Sequence, residues 1–210
     1  MAGGRRPKSD QALARRAGSR KPRDRVLIVC EGEKTEPRYF EGLKQDWRLP
    51  TADVVICGRE CRSDPLKIVD FAVRKDKQDG PFDAVYCVFD REWTDARFKT
   101  FDKALAAITK KGSRFRAVPS DPCFEYWILC HYEKTTSVFV DQDDIRRRVC
   151  QYLPHYEKGM IGLWLVLRDN LGKAIEAACW GREQIKQTQA QGPYTEVDKI
   201  IDALRTLRAG

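Results

Sequence analysis

Histidine is nearly missing from this chain: His131 and His155 are the only two in 210 residues. That shortage argues against an imidazole-built transition-metal site and against a mechanism that passes protons through several histidines. Cysteine occurs eight times, but without the paired short spacings of a zinc site. Most of these cysteines sit inside apolar runs such as "VYCVF" and "WILC", as buried thiols of a reducing cytosol do. Cys57 and Cys61 are separated by three residues and have no matching second pair. No G-x-x-x-x-G-K-[ST] loop is present, so any ATP hydrolysis would have to come from another polypeptide. The sequence also lacks an apolar run of signal-peptide or bilayer-spanning length, which predicts a cytoplasmic protein away from membranes.

The formal charge is +8, and it is unevenly spread. Residues 1–24 carry eight Lys or Arg against two acids, leaving 31 basic and 29 acidic residues for the rest. The basicity is therefore mostly a tail, "MAGGRRPKSDQALARRAGSRKPRD", read as a flexible arm. Such an arm is either a solvated terminus or a nonspecific grip on nucleic acid phosphates.

Past the arm, apolar β-rich runs alternate with helical periodicity. Strands are predicted at 25–30, 52–57, 82–90 and 115–120, and helices at 36–47, 64–77 and 96–111. Alternation at this spacing predicts an α/β core over 25–120, a mainly parallel sheet flanked by helices. After residue 120 the pattern turns helical, at 123–133, 143–153, 167–189 and 195–207. This helix-rich part, 121–210, is expected to pack on the core as one domain. The segment "GLWLVL" (162–167) reads equally as a strand or as a first helical turn, and Thr195 reads as an N-cap with Asp198 three residues on.

Acids gather where the strands end. Glu31 follows "RVLIVC" and leads into "EGEKTE", while Asp90 and Glu92 follow "FDAVYCVF". In an open α/β sheet the binding crevice lies beyond the carboxyl ends of the strands, and right-handed crossovers put both ends on one edge. Converging carboxylates need a positive partner, and Mg²⁺ or Mn²⁺ with its hard oxygen ligands fits. Glu33 and Glu36 read either as members of this cluster or as a charged turn in which Thr35 caps the next helix. Glu125, inside "CFEYW", reads either as a further acid at the crevice or as a salt-bridged core residue.

Four strings in order, "CEGEKTEPRYF", "VFDRE", "PCFEYWILCHYE" and "GPYTEVDKII", resemble the RloB and AbiL-accessory family of phage-resistance proteins. The likeness runs from about residue 24 to 207. It implies a Toprim-like domain, the Mg²⁺-binding fold shared by topoisomerases, primases and several nucleases. On that resemblance Glu31 matches the Toprim glutamate, and Asp90 with Glu92 matches the paired acids, with Glu92 standing where the pattern has Asp. Ser120, Glu125, His131 and Thr195 carry over as positions of possible accessory function. The resemblance also implies an ABC-type ATPase partner.

These readings lead to a Mg²⁺-dependent (or Mn²⁺-dependent) nuclease cleaving RNA, such as tRNA, or DNA, as effector of an antiphage system. Glu31, Asp90 and Glu92 would hold the metal, Glu33 or Glu31 would assist proton transfer, and Lys34, Arg91 and the arm would hold phosphates. The alternative is a non-catalytic module that binds nucleic acid or nucleotide and gates the ATPase. A primase or topoisomerase subunit fits poorly, because the chain has no zinc motif and no room for a tyrosine-bearing domain. A homo-oligomer is left open.

Overall fold

The computed structural model describes residues 24–50, 54–58, 64–91 and 95–209; the arm up to residue 23, Cys61 and Glu92 lie outside the described residues. Four apolar runs become strands: β1 (Val26–Cys30), β2 (Val54–Cys57), β3 (Ala84–Asp90) and β4 (Phe115–Asp121). β1 pairs in parallel with β2 and β3, and β3 in parallel with β4. The sheet order is β2-β1-β3-β4-β5, in which β5 (Tyr194–Thr195) is antiparallel to β4. From β1 the chain steps outward to β2 and then returns to the other side of β1 for β3. The switch point therefore falls between the carboxyl ends of β1 and β3.

Strand alternation sends side chains into two separate cores. Val26, Ile28 and Cys30 of β1 share a face with Tyr86 and Val88 of β3, while Leu27, Val29, Val85, Cys87 and Phe89 line the other. The second face is covered by α2 (Pro65–Gln78) and α3 (Asp95–Thr109) through Ile68, Ala72, Phe101 and Ile108. Asp64 starts α2, its carboxylate accepting a hydrogen bond from Leu66 N at 2.9 Å, with Pro65 at the first helical position.

The first face carries α1 (Thr35–Asp46) and the whole helix-rich part: α4 (Glu125–Cys130), α5 (Gln142–Tyr152), α6 (Leu163–Leu167), α7 (Leu171–Thr188) and α8 (Asp198–Ala209). Tyr39 of α1, Trp127 of α4 and Trp164 of α6 meet edge to face in one continuous core with the sheet. Residues 121–210 thus close over the same side as α1. "GLWLVL" is helical, and a 3-10 turn at Arg168–Asn170 separates α6 from α7, where the sequence predicted a helix from 167.

Thr195 is not a helix cap. It belongs to β5, α8 starts only at Asp198, and the Thr195 hydroxyl lies 2.8 Å from that of Ser120 across the β4–β5 pair. Arg182 of α7 fixes this corner with a two-pronged bond to the Asp198 carboxylate, at 2.7 and 2.6 Å, and a further bond to Thr195 O. Cys30, Cys57, Cys87, Cys123 and Cys130 are buried, as their apolar settings predicted, whereas Cys179 is exposed.

Candidate functional site

β1 and β3 deliver one acid each to the switch point. The ladder continues one residue past β1, with Glu31 N donating to Val88 O at 2.9 Å, and the chain then turns away through Gly32. From there the Glu31 side chain reaches across and its Oε2 accepts from Asp90 N at 3.0 Å. Asp90 has the parity of Tyr86 and Val88, so it points to the face covered by α1 and α4. Two further acids come in from those helices. Glu36, in the first turn of α1, and Glu125, at the start of α4, are 5% and 3% exposed.

Glu36 is held folded back over the loop, its Oε1 accepting from Gly32 N at 3.2 Å. A Cβ on residue 32 would lie 2.0 Å from Glu36 Oε2, so only glycine lets the carboxylate sit there. Glu125 Oε1 accepts from the Tyr156 hydroxyl at 3.0 Å. The result is an open crevice of about 400 Å³ lined by Glu31, Glu33, Lys34, Glu36, Asp90 and Glu125, with Gln142 and Lys158 on the far wall.

So many carboxylates close together resist ionisation. Burial, then repulsion by Glu125 and Glu31, pushes Glu36 up to about 7. Burial, then the charges of Glu36, Glu125 and Glu31, holds Asp90 well above the usual carboxylate range, with Lys158 acting against them. A group whose pKa is raised on folding contributes stability that is full below its unfolded value, near 4.5 for Glu36, and lost as pH rises through about 7. The melting temperature of the metal-free protein is therefore expected to fall between pH 5 and pH 8. Added Mg²⁺ should raise it more at pH 8 than at pH 5, which scanning calorimetry at the two pH values with EDTA or Mg²⁺ would show.

Do these residues suit a divalent cation? The donors are all hard oxygens, and no hydrogen bond to the Asp90 carboxylate is found among the described residues. Yet those residues include no group of three acids, histidines or cysteines placed to grip an ion. The two findings agree for Mg²⁺, which keeps several waters and is commonly bound through one or two carboxylates. Four mutually repelling carboxylates with an open mouth fit such a hydrated ion.

The other residues singled out in the sequence fall in different places. Glu33 and Lys34 are exposed on the crevice rim. Arg91 turns away, donating to Asp121 Oδ2 at 3.3 Å and to Gln191 O at 3.1 Å, and lines a neighbouring pocket of about 310 Å³. Ser120 and Thr195 form the buried hydroxyl pair that ties β5 to the sheet. His131 is fully buried in the aromatic core, 2.9 Å from Trp127 O through Nδ1, and burial drives its pKa down to about 4, so it stays neutral.

Thr35 does not cap α1: it is the first helical residue, and its hydroxyl accepts from Gly159 N at 2.9 Å. Lys158 is an addition that the sequence did not point to, and Glu36, which read either as a member of the acidic cluster or as part of a charged turn, lies in the crevice. A signal for Glu36 was available, since it lies three and four residues before the core pair Tyr39 and Phe40 and so shares their buried face. Lys158 had none.

A family model described as RloB-like protein matches residues 26–204. No curated protein and no solved structure gives a significant match. Among the described residues no helix is long and apolar enough to cross a membrane.

Proposed function

Because the chain belongs to the RloB-like protein family, whose model spans its sheet, its crevice and nearly all its C-terminal helices, we propose that it is a divalent-cation-dependent nuclease of Toprim type. RNA, including tRNA, or DNA would be the substrate, and an antiphage system with an ATPase partner its setting. The observation that carries this reading is the convergence of Glu31, Asp90, Glu36 and Glu125 at the switch point of a parallel sheet. Glu31 and Asp90 would hold Mg²⁺ or Mn²⁺, with Glu92, two residues after Asp90 in sequence, as the third ligand in the resemblance. When bound, the cation would polarise a phosphodiester and offset charge on the leaving oxygen.

The chain's own residues supply the rest. Glu31 Oε2 is anchored on Asp90 N, which fixes the Glu31 carboxylate beside the end of β3. Glu36, poised near neutrality by burial and its neighbours, can take or give a proton at its carboxylate within the crevice. Glu33, on the rim, is the more solvated acid. Lys34 at the mouth attracts phosphate, and the basic arm adds a salt-sensitive, sequence-independent grip.

Labelled tRNA, single-stranded RNA and plasmid, each incubated with the full chain in Mg²⁺ or EDTA, test the reading. Cleavage that EDTA stops supports it. A chain that cleaves none of them, with its ATPase partner present and triggered, leaves the binding module as the better account.

A further inference from the structure

We infer that the connection between α5 and α6, residues 153–162, is a wall of the acidic crevice, and that its Lys158 works with Lys34 to hold the phosphate of a bound phosphodiester. This rests on the metal-dependent reading above and names the specificity element of the same site.

The connection is largely irregular, yet it is pinned to the crevice from three directions. The Tyr156 hydroxyl donates to Glu125 Oε1, Gly159 N donates to Thr35 Oγ1, and Arg38 Nη1 donates to Gly159 O. Gly159 has φ of +78°, and a Cβ there would lie 2.8 Å from Lys34 Cβ. Backbone at residue 159 therefore presses directly on the stem of Lys34. The neighbouring Lys158 leaves from the same pinned backbone and lines the crevice.

Both lysines are exposed and line the crevice, but among the described residues neither forms an ion pair with any of its carboxylates. Lys158 Nζ instead donates to the neutral amide oxygen of Gln142 at 3.1 Å. Its charge is nevertheless felt at Asp90. Two unpaired ammonium groups at the mouth of an acid-lined cleft suit a ligand that carries both a cation and an anion. A phosphodiester with a hydrated divalent ion is such a ligand: the acids take the ion, and the lysines take the non-bridging oxygens as point charges. A cleft of about 400 Å³ has room for both.

The full chain loaded with Mn²⁺ and titrated with a dinucleoside monophosphate gives a readout independent of cleavage. Phosphorus relaxation reports diester binding, and electron paramagnetic resonance reports Mn²⁺ occupancy. Lys158→Ala is expected to weaken diester affinity about 10-fold, Lys158→Arg to keep it within about 3-fold, and Mn²⁺ affinity to hold or tighten in Lys158→Ala. If Lys158→Ala tightens Mn²⁺ while diester affinity stays at the wild-type value, Lys158 is only an internal counter-ion and the inference is overturned. Wild-type protein that binds no Mn²⁺ overturns the metal reading itself, and this inference with it.

Discussion

Asp90→Asn is expected to lower Mg²⁺-dependent cleavage by about 1,000-fold, equivalent to about 4 kcal/mol of transition-state stabilisation, while the fold becomes more stable at alkaline pH. The two effects share a cause. Asp90 ends a buried strand on the face that Glu36 and Glu125 also reach, so its negative charge opposes folding without a cation and is needed to hold one. Asparagine keeps the shape and the backbone N–H that anchors Glu31, and removes the charge. Initial cleavage rates and melting temperature at pH 8, measured on one preparation, check both. A loss of rate accompanied by a lower melting temperature would mean that Asp90 is structural.

Glu36→Gln carries the second large effect. Burial and its acidic neighbours push Glu36 up to about 7, and the amide can still accept from Gly32 N, so the loop should keep its form. Cleavage is expected to fall about 100-fold, within the range of a lost general acid or base. The decline of stability from pH 5 to pH 8 should flatten, because the group that titrates near pH 7 is gone. Glu33→Gln, on the exposed rim, should change rate by less than about 5-fold. Equal losses in the two variants, read from pH–rate profiles, would remove the special role of Glu36.

The parallel core was legible because its strands are buried on both faces and so read as continuous apolar runs, from "VLIVC" to "AVYCVF". β5 was not, since two residues paired antiparallel to β4 leave no periodic trace. Thr195 looked like a cap because a hydroxyl two residues before Val197 offers the same local bond, 3.4 Å from Val197 N, yet its closer partner is Ser120. Glu31 and Asp90 stood out as acids directly after apolar runs, where strand direction alone brings them together. Lys158 enters through the pinning of Gly159 on α1, a contact between residues more than 120 positions apart that no local pattern encodes. His131 sits inside the aromatic core and Ser120 at the β4–β5 seam, where packing and a buried hydroxyl pair hold them.

The central claim, that the carboxylates at the ends of β1 and β3 form a divalent-cation site, is tested most directly by calorimetric titration of Mn²⁺ into the full-length protein at pH 7.5, beside Glu31→Ala and Asp90→Ala. The account predicts a saturable binding signal for wild type that is lost in both variants while each retains a cooperative thermal transition. Folded variants that bind Mn²⁺ as the wild type does would contradict it.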